Sequence, residues 1–450
     1  MGVKVFAALA LAASALIVST ASVPAGSAHS VGRTHDFLRH AHVPHMVAAA
    51  QAKKTKLGFN CVVSCAAYES TVDQFFTDVA ADSSANATTN VYSVLPQYST
   101  PTSSILYNVA FDAGTNAFVD PNPLPKTGNC QDGFDTYCVT DAELQKEIGK
   151  VITANGWPTQ SSTALYFILL PANVGVCFKP GAANDNNPCT TNYFCAYHSN
   201  TTNFIYAVQP DAAAVIGDAC STGQEPAGNA ADPTINTISH EQIEAITDPQ
   251  LDAWYSDVYP NPEIGDLCAY DFGPALGGNP GALYNQVING HDYYLQLEYS
   301  NLDSGCVSHL GGTVTPPDPN LQDGSGPLAY DGHHQGPGVG PVMASNTVYA
   351  IYWIPAAPAN SRAPKIVGAT TVGKKLRALS GGWSGAPDFT YRWLRCSAAG
   401  TSCHAIAKAA DSTYVLAPAD SGHRIEVRVT ATNPAGRVTA ASVPTAKVRS

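Results

Sequence analysis

Apolar residues recur at helical spacing in three stretches of the chain. Over 68–81, Val72, Phe75, Phe76 and Val79 share one face, which predicts a helix. Over 141–155, Leu144, Ile148, Val151 and Ile152 do the same behind an acidic cap at Asp141. Over 232–247, Ile235, Ile238, Ile243 and Ile246 gather on one side, while His240, Glu241, Glu244 and Asp248 gather on the other. Asp232 and Pro233 open this third helix as N-cap and first helical residue, and Pro249 closes it. Short apolar runs at 89–95, 164–171 and 203–209 predict strands between the helices. The interleaving predicts one α+β domain over 57–308, with a mixed sheet carrying the third helix.

Beyond it the pattern changes twice. Residues 309–340 are rich in Gly, Pro and Asp, which is linker chemistry. A strongly apolar strand candidate follows at 347–355. From 363 to 450, short alternating segments are separated by Gly, Asn and Pro turns; about seven strands in so short a span predict an immunoglobulin-like sandwich. Trp383 and Trp393 read as its core. At the other end, Lys4 precedes an apolar run over 5–18 and then small residues, the pattern of a secretory signal ending near 28. Residues 29–56 read as a flexible leader whose histidines (His29, His35, His40, His42, His45) belong to a disordered arm. No later stretch reaches the roughly 20 apolar residues of a membrane anchor.

Charge and cysteines narrow the partners. The formal net charge is −12 and only 13% of residues are charged, which argues against nucleic acid or an anionic membrane. Twelve cysteines in an exported chain predict a disulfide framework, with 130–138, 268–306 and 396–403 as expected pairs. Cys61 and Cys65 are spaced too widely for a redox C-x-x-C. A secreted monomer is expected, facing an extracellular peptide or a cell-wall component.

The chemistry concentrates at His240-Glu241-Gln242-Ile243-Glu244. His240 and Glu244, four residues apart on a helix, point the same way one turn apart. Zincin helices present two metal ligands so, with Glu at the second position as general base. Here Glu244 replaces the second His, a harder donor set that still admits Zn²⁺ and shifts preference toward oxygen-loving metals. A third ligand is expected about 20 residues on, from Asp266 or Glu263, with Asp266 preferred because Cys268 would hold it rigidly. Asp248 is the weaker choice, as part of the helix exit. His198 and His291 read as structural. Tyr255 or Tyr270 is the candidate for stabilising an oxyanion. The bland reading is a solvated acidic face on a helix whose isoleucines already explain its packing.

Two resemblances extend this. The segment from Ser239 through Pro249, then Ala253-Trp254-Tyr255, then Glu263-Ile-Gly-Asp266-Leu-Cys268, resembles the signature region of the plant Exordium (phosphate-induced protein) family and its bacterial exported relatives. Phe75-Phe-Thr-Asp, Tyr193-Phe-Cys-Ala-Tyr-His198 and Gly290-His-Asp-Tyr-Tyr-Leu295 extend it across roughly 60–308. It implies a zincin-like fold with a metal site at His240, Glu244 and Asp266, and carries no settled reaction. Gly340-Pro-Val-Met343 through Pro355 resembles the strand that opens that family's domain; here it comes after the domain, which implies a permuted arrangement in which 341–356 returns to the first sheet. Gly381-Gly-Trp383, Tyr391-Arg-Trp393-Leu-Arg-Cys396, Cys403 and Tyr414 resemble the immunoglobulin-like repeats appended to actinobacterial exported proteins. The expectation is a secreted metal-dependent hydrolase acting on peptides, with Glu241 as base. The alternative is a non-catalytic extracellular or wall-associated binding protein.

Overall fold

The structure, a computed structural model, describes residues 36–38 and 65–450, apart from 126–128, 185, 192, 216–218, 257–261, 316–326, 331–339, 386 and 434. The signal over 1–28, most of the leader, Cys61 and most of the linker lie outside the described residues.

The fold is mixed α+β. Its main sheet takes strands β1 (Asp36–Leu38), β2 (Val109–Ala110), β3 (Ala117–Asp120), β4 (Ala164–Leu169), β5 (Phe194–Asn200), β6 (Ile205–Gln209) and β7 (Asn346–Trp353). Their order is β1-β5-β6-β4-β7-β2, with β3 also on β7. Strands β6, β4, β7, β2 and β3 run parallel to their neighbours, whereas β5 is antiparallel to β6 and β1 antiparallel to β5. Three helices flank the sheet: α1 (Cys65–Ser84), α2 (Asp141–Asn155) and α3 (Ala231–Thr247).

Every residue of β4 is buried because helices cover both faces of the sheet. Odd-numbered side chains Leu165, Phe167 and Leu169 meet Phe75, Phe76 and Val79 of α1 and the isoleucines of α3. Even-numbered Tyr166 and Ile168 meet Leu144, Ile148 and Val151 of α2 on the other face. Period-2 strands and period-3.6 helices thus build two cores from one pleated layer. Strand β7 lies inside the sheet, pairing with β4 on one side and with β2 and β3 on the other, and its side chains divide between the same two cores.

One predicted strand is corrected. Residues 89–95 do not extend; Val91–Tyr98 form a 3₁₀ helix with Pro96 inside. The Asn90 side chain accepts from the Tyr92 amide and caps it, and six of the eight residues are buried, so no alternation exists to favour a strand. The start of α3 also differs: it begins at Ala231, and the Asp232 carboxylate turns back to accept from the Ala227 and Asn229 amides.

Among the described residues five disulfides are present: Cys130–Cys138, Cys177–Cys189, Cys195–Cys220, Cys268–Cys306 and Cys396–Cys403. The three pairs expected from the sequence are among them. Such a set is consistent with an oxidising, extracellular setting. Among the described residues no helix is long and apolar enough to cross a membrane.

Residues 363–450 form antiparallel sheets around one core. Lys365–Val367, Lys375–Leu379 and Thr413–Val415 make a three-stranded sheet; His404–Ala405, Asp388–Cys396, Arg424–Asn433 and Gly436–Ala441 make a four-stranded one. Leu376, Trp393, Leu416, Ile425 and Val427 pack between them. Trp393 is fully buried and donates to the Asp411 carbonyl, whereas Trp383 is only half-buried, beside Phe389.

Candidate metal centre

Helix α3 is buried along its whole length, including the face that bears His240, Glu241 and Glu244. The reading of that face as solvated acid is therefore overturned: His198 of β5 and the segments bearing Asp266 and Gln296 cover it. Burying a carboxylate is strongly unfavourable unless a donor, a proton or a cation meets it. Polar contacts pin the helix in place. Thr237 donates to Gln209 of β6. Gln242 accepts from the Tyr92 hydroxyl at 2.8 Å and donates to Asn346 of β7 at 2.9 Å.

One turn of helix brings His240 Nε2 to 3.1 Å from Glu244 Oε1. Glu241 Oε1 stands 4.0 Å from the same nitrogen. The third expected residue arrives from the Asp266–Cys268 turn, where the Cys268–Cys306 disulfide anchors the backbone. Asp266 Oδ1 lies 3.9 Å from His240 Nε2, and its amide donates to Glu244 Oε1 at 3.1 Å. The Gln296 amide nitrogen lies 2.9 Å from His240 Nδ1 and donates to the Gly265 carbonyl, so the ring is held with Nε2 facing the carboxylates. Gly265 itself presses on that ring: a Cβ added there would stand 2.5 Å from Nδ1.

His198 was set aside in the sequence as structural, and the structure brings it to the carboxylates. It comes from β5, 42 positions before His240, so no local motif marks it. Its Nδ1 lies 3.3 Å from Glu241 Oε2 and 3.7 Å from Glu244 Oε2. Its Nε2 is 3.2 Å from the Asp248 carbonyl and 3.9 Å from Glu263 Oε2. Glu263 and Asp266 thus both reach the site, on different sides of Glu244. Glu298, a residue the sequence did not single out, is also fully buried, and His240, Glu244 and Asp266 act on its charge.

The other candidates take other roles. The Asp248 side chain caps the helix exit, accepting from the Asp252 and Ala253 amides. His291 is exposed and pairs with Asp78. The Tyr270 hydroxyl donates to the Ala219 carbonyl, in a separate cluster beside the Cys195–Cys220 disulfide. Tyr255 is buried on the short strand Trp254–Ser256, which pairs with Leu328–Tyr330.

The electrostatics follow from packing six carboxylates (Glu241, Glu244, Asp248, Glu263, Asp266 and Glu298) around two imidazoles in the interior. Burial opposes the charged form of both imidazoles, but Glu241 and Glu244 outweigh it at His198, and Glu244, Glu241 and Asp266 at His240, raising each to about 10. Burial raises Glu241 to about 7 against the pull of His198 and His240. For Glu244 burial acts upward too, yet the two imidazoles hold it well below the ordinary carboxylate range. Glu263 is raised by burial and then by Glu244, Asp248 and Asp266.

The donor set fits a divalent cation. Glu241 Oε1 and Glu244 Oε2 are buried and accept no hydrogen bond. His240, Glu241 and Glu244 place one donor atom each within 4.8 Å of one another, as do His198, Glu244 and Glu263. Imidazole and carboxylate together suit Zn²⁺ or Mn²⁺. No protein-family model matches this chain, and a search of the curated proteins finds no match.

Proposed function

We propose that this chain is an exported metal-dependent hydrolase of peptide bonds, built on a zincin-like α+β domain related to the Exordium family and followed by an immunoglobulin-like sandwich. His240, Glu244 and Asp266 would hold the cation. When bound, it supplies Lewis acidity and makes water acidic enough to ionise near neutral pH. The observation that carries the reading is the state of Glu241. It stands beside His240 without accepting a hydrogen bond at Oε1, and burial brings it to about 7. A carboxylate so poised takes a proton near neutral pH and gives it back, which is what a general base must do. His198, 3.3 Å from Oε2, orients it.

Elemental mass spectrometry on the secreted protein tests the ligand set. Metal is expected in wild type and in Glu241→Gln, with loss from the His240 position in His240→Ala. A metal-free wild type after incubation with Zn²⁺ or Mn²⁺ removes the proposal. Gly265→Ala gives a finer check. The added methyl displaces the imidazole, and metal affinity should fall by about 10–100-fold, the range seen when a ligand's supports are disturbed. Chelator competition measures it; unchanged affinity would show that His240 is not a ligand.

A second reading, adhesion to the cell wall, concerns the C-terminal unit and rests on charge. Residues 363–450 carry twelve Lys and Arg against four Asp and Glu, while 1–362 carry eleven against thirty-one. Arg362, Lys365 and Arg377 converge with Tyr391 on a cleft of about 520 Å³. None of these three cations forms an ion pair among the described residues. Such a cleft suits a wall polymer bearing phosphodiesters or carboxylates. Full-length protein should bind inorganic polyphosphate in a salt-sensitive manner. Reversing all three charges to Glu should weaken binding at least about tenfold, or roughly 1.4 kcal/mol. The charge-matched control Lys408→Glu/Arg437→Glu/Lys447→Glu should weaken it much less; equal losses would mean net charge alone attracts the polymer.

A further inference from the structure

The position at His240 uses one oxygen of Glu244, and the other oxygen has its own surroundings. Glu244 Oε1 faces His240 Nε2 at 3.1 Å, while Oε2 faces His198 Nδ1 at 3.7 Å. The carboxylate is fully buried, and Oε2 accepts no hydrogen bond. His198 is prepared for more than packing. Its Nε2 lies 3.2 Å from the Asp248 carbonyl, and because a carbonyl only accepts, the ring proton sits on Nε2. Nδ1 faces Glu241 and Glu244, where a cation in place of a proton would meet its lone pair. Imidazoles that bind metals are held in this manner, with the second nitrogen tied to a carbonyl or carboxylate. Glu263 Oε2 lies 3.9 Å from His198 Nε2, and His198, Glu244 and Glu263 offer donor atoms mutually within 4.8 Å.

We propose that the centre is dinuclear: a second divalent cation is held by His198, Glu244 and Glu263, and Glu244 bridges it to the cation at His240, Glu244 and Asp266. Charge favours two ions over one. A nearby cation favours the charged form of a carboxylate, so a second ion accommodates more of the six buried carboxylates around the site than one does. The bridging carboxylate also accounts for the placement of Glu263 and Asp266 on opposite sides of Glu244, which a single ion does not require. In two-metal hydrolytic sites the ions stand about 3.5–4 Å apart, close enough for two Mn²⁺ ions to couple magnetically. The competing account gives His198 only the task of orienting Glu241.

This inference rests on the metal reading above, and one experiment separates their fates. Full-length protein stripped of metal is dialysed against Mn²⁺, then assayed by elemental mass spectrometry and electron paramagnetic resonance. The expected result is two Mn²⁺ per chain with a spin-coupled spectrum. His198→Ala and Glu263→Gln should each retain one ion with an uncoupled six-line spectrum, their folding checked by near-ultraviolet circular dichroism. One ion per wild-type chain, lost in His240→Ala and kept in His198→Ala, overturns the dinuclear inference and leaves the mononuclear reading standing. No ion in wild type overturns both. The wild-type stoichiometry decides the matter even if a variant fails to fold.

Discussion

Glu241→Gln is expected to lower peptide-bond turnover by about 10²–10⁴-fold, the usual contribution of a positioned general base. Gln is nearly isosteric and neutral, so the helix and its packing should survive. The amide retains a hydrogen-bond partner in His198, which lies 3.3 Å from Glu241 Oε2. What disappears is the capacity to take a proton. The pH profile adds a second readout. Glu241 must be deprotonated to act, and its pKa lies at about 7 in the metal-free protein; a nearby cation favours the charged form and lowers it. Wild-type activity should therefore rise with pH through a limb at or below neutrality, and the variant's residual activity should lack that limb. A variant with full activity and intact metal content would assign Glu241 to structure.

Ending the chain before β7 is expected to abolish folding of the first domain, although every residue of its predicted span over 57–308 would remain. Strand β7 lies inside the sheet, and removing it strips β4, β2 and β3 of a partner at once. Its side chains also belong to both cores: Val348, Ala350 and Tyr352 to one, Tyr349, Ile351 and Trp353 to the other. Two links tie it to the candidate site. Asn346 accepts from Gln242, and the Met343 amide donates to the Ile246 carbonyl. A chain ending at 312 should be insoluble or lack a cooperative melt, whereas one ending at 356 should fold. Within the full chain, Ile351→Ala should cost about 2–5 kcal/mol, as for other buried large-to-small changes. If the 312 form melted like the full chain, the sheet would not need β7.

The reach of the sequence can be judged element by element. Helix α2 was legible to its ends because its apolar stripe and acidic first turn agree, although Thr140, not Asp141, is the cap, in a box with Glu143. The 3₁₀ helix at Val91–Tyr98 was not, since nearly every side chain there is buried and periodicity carries no signal. The pair His240 and Glu244 was legible because helical geometry alone sets their separation. Asp266 and Glu263 were both within reach of sequence spacing, but which side of Glu244 each would take was not.

The sequence by itself determined what depends on near neighbours: helix faces, strand alternation, the short disulfide loops and the turn of helix that pairs His240 with Glu244. Tertiary structure alone decided what depends on contacts between distant segments. It carried His198 in from β5, set Glu298 beside the cluster and buried a helix face that reads as solvated. Helical and strand periods are local properties of the backbone, so residues express them without reference to the rest of the chain. The electrostatic character of the site arises only when β5 and the segments bearing Asp266 and Gln296 close over α3, because burial turns ordinary glutamates into a cluster that requires positive charge.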